Sequence, residues 1–374
     1  MRKFFNKRTG CAVLLAALVG LAGCGGPKEP ENSTSGQIQQ EEGTGTQSQE
    51  TKGEQLSYLT GLPVSDELYH ARPLAVMFNN IEAGCPQAGI AEASIIYEVP
   101  VEGRITRLMG IFEDYRNLEK IGSIRSSRDY FVYFALEYDA LYAHFGQATP
   151  YVGDLLNSDR VDNISGAVSG INKPAPNSFY RSSDRKAPHN VYLSPEGVAK
   201  DIEKFQYRTT LREDYQAKFT FATKDQPADY ANQPDATLLY PGGKGTTAAN
   251  GFAKTQSRFE YNAEDGLYYR FQYGEKHIDE LTEEQLAYTN VVFQYCHGEV
   301  RDENDYLAFG CHGDDGYKVQ VFTGGKMITG TWSRSADEVP ASYVDEEGNP
   351  IVLNPGKTWV CIIWDEYGQD VVIE

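Results

Sequence analysis

Hydrophobic positions in this chain follow two patterns, the one typical of strands and the one typical of helices. Both patterns occur in the first part of the chain. The apolar run 74–78 ends at two asparagines and predicts a buried strand, and the runs 94–99 and 105–112 flank a glycine turn and predict a hairpin. Apolar residues at helical spacing in 127–139 predict a helix that Ser126 or Ser127 would cap. These elements predict an α/β arrangement.

Further elements of both kinds complete this first part. Residues 121–124 and 142–145 are expected to enter strands, and 150–156 is expected to form a helix. Ser194 followed by proline is a typical helix start, and that helix would run to about residue 205. We therefore predict an N-terminal α/β domain with a mixed sheet at residues 58–210.

After about residue 215, β-type runs dominate. Turn residues separate them, and Thr282–Gln285 has the capping-box pattern of one short helix. The runs are 238–240, 258–262, 267–273, 291–295, 317–322 and 358–364. We therefore predict a mostly antiparallel β-rich domain at residues 211–374, and an α+β fold class for the whole chain.

The N-terminus has the pattern of an exported lipoprotein. Residues 1–8 carry four basic side chains and no acid, and residues 11–22 are apolar but too short for a membrane span of about 20 residues. The run ends in Leu-Ala-Gly-Cys24, which resembles a lipobox. We therefore predict a signal peptide at 1–23, lipidation of Cys24, and attachment to the outer face of the cell membrane.

The residues between the predicted anchor and the predicted domains have a composition that is typical of a linker. Residues 25–55 contain glycine, serine, threonine, glutamine, glutamate and proline but no aromatic residue, so they offer little apolar surface to bury. We predict a flexible linker at 24–57.

The net charge of the chain argues against nucleic acid as a partner, and the distribution of charge distinguishes residues 101–190 from the rest. The formal net charge of the 374 residues is −19, which makes nucleic acid a poor partner for the surface as a whole. Residues 191–374 hold 16 basic and 31 acidic residues, whereas 101–190 hold 11 of each. We expect any anionic ligand to bind within this neutral, arginine-containing segment, although an ordinary ion-paired surface explains the balance equally well.

The strand-to-helix junction Lys120–Asp129 is the first candidate site. Arg125 and Arg128 lie three residues apart where a helix begins, so guanidinium groups and free backbone N–H groups would point toward one anion. The alternative is that Asp129 pairs with one of the arginines and braces the turn.

Two other groups carry candidate chemistry. Glu98 and Glu102, on the hairpin that also holds Arg104 and Arg107, could form an acid–base pair or a hard-metal site, or could be ordinary turn charges. His189 lies in the polar loop 184–190 and could act as a general base or simply hydrogen-bond to backbone. His144 lies at a predicted strand end, where it would share a pocket with Arg125, Arg128 and His189. The predicted ligand pocket comprises Arg104, Arg107, Arg125, Arg128, His144 and His189.

Cys296 and Cys311 end two apolar runs and could form a disulfide if those runs pair as neighbouring strands. A histidine follows each cysteine, so a zinc site is the alternative, but the spacing matches no zinc motif that we know. The chain has no Gly-x-Ser-x-Gly, His-Glu-x-x-His, P-loop or Gly-x-Gly-x-x-Gly motif. We predict neither a metal nor a cofactor.

At several of these residues the chain resembles the YerB-like lipoproteins of Gram-positive bacteria, which carry paired N- and C-terminal domains of no assigned function. The resemblance extends from about residue 59 to 365. The matching stretches are 72–80, 96–99, 101–107, 121–130, 184–190 and 355–359.

A shorter resemblance concerns Ser123–Asp129 alone, with its Ser-Ile-Arg-x-x-Arg-Asp order between a strand and a helix. It is similar to a segment of the LytR-CpsA-Psr enzymes, which attach phosphate-linked glycopolymers to cell wall. In those enzymes arginines and an acid hold a lipid pyrophosphate, so this resemblance implies phosphate binding at Arg125 and Arg128.

Three functions remain open at this point. The preferred one is non-catalytic binding of an anionic cell-wall component or an envelope protein by a membrane-anchored lipoprotein. The second is a phosphoglycosyl transferase or hydrolase, with metal help from Glu98 or Glu102 and charge stabilisation by Arg125 and Arg128. The third is the binding protein of a transporter, which predicts two similar α/β lobes.

Overall fold

Strands dominate residues 55–374, the part of the chain that the computed structural model describes. The predicted signal peptide, Cys24 and most of the predicted linker lie outside those residues. The elements of the first half are β1 (Gln55–Leu56), β2 (Pro63–Val64), α1 (Asp66–His70), β3 (Leu74–Phe78), β4 (Ile95–Val101), β5 (Ile105–Phe112), β6 (Ile121–Gly122), α2 (Asp129–Leu136), β7 (Leu141–His144), α3 (Thr149–Leu156), β8 (Asn163–Ser165), β9 (Phe179–Arg181), β10 (Val191–Leu193) and α4 (Pro195–Phe205).

The second half contains shorter helices and longer strands. Its elements are β11 (Thr220–Phe221), β12 (Leu238–Tyr240), α5 (Phe252–Thr255), β13 (Arg258–Asn262), β14 (Leu267–Gln272), β15 (Glu275–Lys276), β16 (Ala287–Tyr288), β17 (Asn290–Cys296), β18 (Gly298–Val300), β19 (Leu307–Phe309), β20 (Gly313–Thr323), β21 (Lys326–Arg334), β22 (Ser342–Asp345), β23 (Val352–Leu353), β24 (Thr358–Trp364) and β25 (Val372–Ile373). Short 3₁₀ helices cover Glu82–Gly84, Ile90–Glu92 and Asp365–Asp370.

One ten-stranded sheet joins the two halves. Its order is β22-β21-β20-β17-β24-β4-β5-β3-β7-β8, so five strands come from each side of the predicted boundary at residue 210. The junction is the parallel pair β24–β4, in which Thr358 lies opposite Ile95 and Cys361 opposite Glu98. The two sequence halves predicted as separate domains therefore share a single sheet, and two similar lobes are not present in residues 55–374.

Both faces of this sheet are covered, which explains why its strands read as continuous apolar runs. Along β3, Ala75 and Met77 pack with α2 and α3, whereas Leu74, Val76 and Phe78 pack toward α4 and a second sheet. Alternate side chains of one strand thus belong to two hydrophobic cores.

The second sheet is antiparallel and carries β15-β14-β13-β12-β25, with β16 beside β14. Together the two sheets and the five helices give the mixed α+β fold that the sequence predicts, with about 15% helix and 37% strand. No helix within residues 55–374 is both long and apolar enough to cross a membrane.

Three local predictions differ from the structure. Arg128, not Ser126 or Ser127, is the N-cap of α2, because the Ser127 hydroxyl hydrogen-bonds to the Tyr142 hydroxyl instead, at 2.8 Å. Thr282–Gln285 does not form a helix: the Asp279 carboxylate accepts the Thr282 N–H at 3.3 Å, and the Gln285 amide donates to the Arg270 carbonyl at 2.9 Å. The predicted linker reaches residue 57, whereas Gln55–Leu56 already pairs with β2.

Candidate functional site

The candidate site lies at the carboxyl ends of the parallel strands β3 and β7. The segment before α2 crosses this edge and bonds to both strands: the Arg125 N–H donates to the Met77 carbonyl at 3.0 Å, and the Arg125 carbonyl accepts from the Phe145 N–H at 3.1 Å. Ser127 N–H donates to the Gly146 carbonyl at 2.9 Å. These backbone bonds hold Arg125 between two strand ends, where α/β sheets commonly bind ligands.

Arg128 is turned inward and paired. Its guanidinium is 6% exposed and grips both carboxylate oxygens of Glu102, with 3.1 Å between Nε and Oε2, and it also donates to the Ser127 carbonyl at 2.6 Å. The ring of Tyr306 lies 5.3 Å from its guanidinium carbon. Arg128 therefore braces the site rather than facing solvent alone.

Arg107 brings a second cation to the same carboxylate. Its Nη1 donates to the Ser126 carbonyl at 2.8 Å, and its Nη2 lies 3.9 Å from Glu102 Oε1. Burial and the neighbouring Arg128 lower the pKa of Arg107 to about 9, so the group stays charged at neutral pH. Burial raises the pKa of Glu102, but its contacts with Arg128 and Arg107 outweigh this effect and leave the pKa below its usual value.

Arg125 is the third cation, and no carboxylate of residues 55–374 pairs with it. Its side chain is half-buried and makes no hydrogen bond or ion pair within that range. Burial and the charge of Arg128 lower its pKa, and Glu102 offsets only part of this effect. Three guanidinium groups thus face a single carboxylate.

His189 lies close enough to Arg125 to be influenced by its charge. Asn79, which follows β3, donates from Nδ2 to His189 Nδ1 at 2.9 Å, so the proton of the neutral ring is on Nε2. Partial burial and the charges of Arg125 and Arg185 lower the pKa of His189. Arg185 itself is held by the Gly84 carbonyl at 2.7 Å and by Glu280 at 2.8 Å.

His144 does not face this site, contrary to the prediction. The ring is completely buried, with Nδ1 2.8 Å from the Gly146 carbonyl and Nε2 2.9 Å from Asn163 Oδ1. Burial lowers its pKa to about 4. His144 therefore fixes the loop after β7 and has no nitrogen available for a ligand.

Glu98 is also enclosed. Its carboxylate is 0% exposed and accepts from Thr106 at 2.8 Å, Ser257 at 2.7 Å, Arg270 at 2.9 Å and Trp359 at 3.2 Å. All of its oxygens are engaged with side chains of the two halves. Glu98 and Glu102 thus do not share an open pocket.

The start of α2 does not supply the predicted anion-binding helix terminus. Asp129 in its first turn is buried and pairs with Arg301 at 2.6 Å, rather than with Arg125 or Arg128 as the alternative reading expected. The Asp129 carboxylate thus already occupies the positive end of the α2 dipole. Arg104 lies apart from the other arginines, in a hollow at the β4–β5 turn that also includes Glu102.

The predicted disulfide is absent from the structure. Cys296 and Cys311 belong to the same core cluster, but both are free thiols. The adjacent imidazoles contact acids instead: His297 lies 3.4 Å from Asp365, and His312 lies 2.6 Å from an oxygen of Asp337. The thiols are buried while these imidazoles are exposed, so the four groups do not form a zinc site.

Sequence reasoning missed two contributors. Asn79 was read only as the end of a strand, yet its amide orients His189. Arg270, the partner of Glu98, comes from β14 and is 172 residues away in sequence. An asparagine directly after a buried strand was a usable signal, whereas nothing local to Arg270 indicated its partner.

Comparisons with known proteins agree with the fold. Residues 59–208 match the family described as "Protein of unknown function (DUF3048) N-terminal domain", and residues 222–360 match the corresponding C-terminal domain. A relative from Bacillus subtilis (strain 168), named "Putative lipoprotein YerB", is 28% identical over 308 residues, which cover 82% of this chain and 86% of the relative.

A solved structure is similar throughout. The crystal structure of the YerB protein from Bacillus subtilis superposes with a TM-score of 0.71 at 24% identity, and the match covers 86% of this chain and all of that one. The predicted resemblance to YerB-like proteins is confirmed, whereas the similarity to LytR-CpsA-Psr enzymes stays a prediction. The chain belongs to the YerB-like family with paired DUF3048 N- and C-terminal domains.

Proposed function

We propose that this protein is a membrane-anchored lipoprotein that binds an anionic ligand, through phosphate or carboxylate groups, at Arg125. One observation supports this function above all: the charges of Arg107, Arg125 and Arg128 act on one another around the single carboxylate of Glu102, which pairs with Arg128 and Arg107 but not with Arg125. Such an excess of positive charge in a partly buried place is unfavourable unless an anion approaches it.

The division of roles among the arginines suits binding. Arg128 and Arg107 are buried and fixed, and they keep the local potential positive. Arg125 is half-buried with its donors free, so it can grip an oxyanion bidentately. His189 offers a further N–H donor near Arg125 without adding charge.

The enzymatic alternative has less support. A transferase or hydrolase with metal help needs carboxylates that face the arginines across an open pocket. Glu98 is enclosed by four donors, and Glu102 is occupied by Arg128. The geometry therefore favours binding over turnover.

The predicted location at the membrane surface limits the class of ligand. The relative's name describes it as a lipoprotein, which agrees with the predicted anchor at Cys24. An anchored protein with this site would meet anionic cell-wall polymers or the acidic surface of an envelope protein. Phosphate-linked polymers are the preferred ligand, because each repeating unit presents the group that Arg125 accommodates.

Calorimetry on the compact unit that begins at Lys52 tests the proposal. The probes are inorganic phosphate, glycerol phosphate oligomers and a neutral polyol, titrated into the parent protein, Arg125→Met and the control Arg116→Met. Arg116 is half-exposed to solvent and already pairs with Glu67 at 2.6 Å.

We expect the oligomers to bind the parent and the control alike, and Arg125→Met to weaken binding at least tenfold, about 1.4 kcal/mol. Binding should also weaken as salt rises. Equal affinity in the parent and Arg125→Met would contradict the proposal.

A further inference from the structure

The short ribbon formed by β1 and β2, residues 55–64, leaves apolar side chains in solvent. Leu56 is 48% exposed and Leu62 is 39% exposed, whereas every other leucine of residues 55–374 is buried or half-buried. Leu56 lies opposite Pro63, which is also exposed, so these two side chains share one face of the ribbon. Leu62 precedes Pro63 and therefore belongs to the other face. Both faces of the β1–β2 ribbon thus carry exposed apolar groups.

This exposure does not come from a loose terminus. Leu59, in the loop between the two strands, is 2% exposed and belongs to the hydrophobic core. Tyr58 stacks on Tyr69 of α1, with 4.5 Å between the ring centres. The Ser57 hydroxyl donates to Glu113 at 2.5 Å. The ribbon is therefore fixed on the body of the protein, and only its outer leucines remain in solvent.

A second apolar feature adjoins the ribbon. A hollow of about 490 Å³ begins at α1, the helix that follows β2 in the chain. Glu67 of α1 and Ala71 directly after it line the hollow, and Tyr115, Leu141 and Ile202 contribute to its largely apolar walls. The accessible apolar surface here is thus larger than two leucines. It differs from the singly scattered apolar side chains that are normal on protein surfaces.

We propose that the β1–β2 ribbon docks on the lipid bilayer to which the chain is anchored. The chain that precedes the ribbon identifies this partner. Cys24, the predicted site of lipidation, lies about 30 residues before Gln55. A coil of about 30 residues has an r.m.s. length of only ~30 Å. The ribbon is the first folded part after the anchor, so the tether holds it nearer to the bilayer than any other element.

The anchor also makes a weak apolar contact sufficient. Transfer of a half-exposed leucine into an apolar environment favours docking by about fivefold. For a free protein, the loss of diffusional freedom on binding would outweigh two such side chains. In an anchored protein that freedom is already restricted, so two leucines shift the balance toward contact. The inference rests on the predicted anchor at Cys24 but not on anion binding at Arg125.

Quenching by brominated lipid tests the docking. The full chain, lipidated at Cys24, is reconstituted into phosphatidylcholine vesicles with or without bromine at the headgroup end of the acyl chains. Phosphatidylcholine is chosen because Asp66 and Glu67, beside the ribbon, would repel anionic headgroups. The probe is the tryptophan introduced by Leu56→Trp. The three native tryptophans are buried and give a common background.

Val300→Trp is the matched control, because Val300 is 52% exposed and also lies on a short strand, β18. Side chains at the boundary of headgroups and acyl chains lie only about 5–10 Å deep, so we expect bromine to remove about a third of the added emission in Leu56→Trp. Val300→Trp should lose almost none. Leu62→Trp repeats the test independently, and Leu62→Ser should at least halve the quenching of Leu56→Trp.

Equal quenching in Leu56→Trp and Val300→Trp would overturn the docking proposal alone. A mass spectrum without lipid on Cys24 would overturn the anchor together with it. An emission shift of Leu56→Trp that depends on protein concentration in the absence of vesicles would assign the ribbon to contact with a second copy of the chain instead. Leu56→Ser should leave the affinity for glycerol phosphate oligomers unchanged, which separates docking from the anion site. Thermal unfolding of each variant establishes that it is folded.

Discussion

Glu98 and Arg270 form an ion pair across the two halves of the chain, with 2.9 Å between Oε2 and Nη2 and with both side chains 0% exposed. The arginine also stacks near Trp359, whose ring centre lies 4.9 Å from its guanidinium carbon. Because neither charge contacts water, each depends on the other.

Removing one member of this pair should destabilise the fold strongly. Arg270→Met leaves the Glu98 charge buried without its main partner, and we expect the free energy of unfolding to fall by about 3–5 kcal/mol. Urea denaturation of the parent, the variant and Arg258→Met measures this effect. Arg258 is a fitting control, because it lies on the neighbouring strand and its partner Glu260 is exposed.

The double variant Glu98→Gln/Arg270→Met should regain part of the loss, since it removes the unpaired charge. A loss no larger than that of Arg258→Met would mean that the buried pair contributes little.

Neutralising Glu102 should strengthen anion binding. Glu102→Gln removes the carboxylate that Arg128 and Arg107 share, so the three guanidinium groups would attract an added phosphate more strongly. We expect affinity for glycerol phosphate oligomers to rise about tenfold, or 1.4 kcal/mol, and stability to fall. Calorimetry compares the affinity of Glu102→Gln for the oligomers with that of the control Glu67→Gln. The partner of Glu67, Arg116, is half-exposed. Weaker binding would indicate instead that Glu102 itself contacts the ligand.

His144 should make the fold sensitive to mild acid. Its pKa is about 4 in the fold and about 6.5 in an unfolded chain, so protonation favours unfolding. The stabilisation is complete above pH 6.5 and is lost as pH falls toward 4, by about 3 kcal/mol in all. His277, which is also buried and has a lowered pKa, contributes in the same direction.

Unfolding free energies measured from pH 7 to pH 5 test this dependence. His144→Asn should flatten the curve in that window, whereas His70→Asn, at the exposed end of α1, should leave its slope unchanged. An equal slope in parent and His144→Asn would exclude His144 as the cause.

The four thiols of the unit from Lys52 should resist modification in the folded protein. Burial raises the pKa of Cys296 and of Cys85 to about 12, and it also raises those of Cys311 and Cys361. Thiolate, the reactive form, is therefore scarce at pH 8. Because Cys85 is only half-buried, a colorimetric thiol reagent should find at most this one reactive group in buffer and four groups in guanidinium chloride. Two missing thiols under denaturing, non-reducing conditions would reveal a Cys296–Cys311 disulfide in solution.

Local sequence patterns predicted the longer strands other than β21 and three of the five helices, because the two spacings are strong there, whereas most strands of two to four residues were not predicted. The run 74–78 became β3 without a shift, and Ser194 caps α4 through the Gly197 N–H at 3.2 Å. The capping box predicted at Thr282 does not form, because the Thr282 N–H donates to the Asp279 carboxylate and the Thr282 hydroxyl accepts from the Glu284 N–H instead. Whether a capping box forms depends on which neighbouring side chains compete for the same N–H groups. The helix propensities of single residues do not include this competition.

The candidate site was predictable only in part. Arg125 and Arg128 stood out as a pair, but only the fold decides that Arg128 turns inward to Glu102 and that Arg125 remains available. Likewise, a histidine at a strand end gives no sign of the two oxygen atoms that enclose His144. Contacts between residues far apart in sequence determine these roles, so spacing alone cannot assign them.

The position of β24 has a consequence for how the protein reaches its final form. This strand, residues 358–364, follows β4 by some 250 residues in the sequence, yet it lies in the middle of the large sheet between β17 and β4. Until it is available, β4 exposes an unpaired edge, and the early and late strands remain two separate groups. The strands that precede β24 in the sequence must therefore be kept from aggregating until β24 is available, and a truncation that removes β24 would divide the large sheet at its centre.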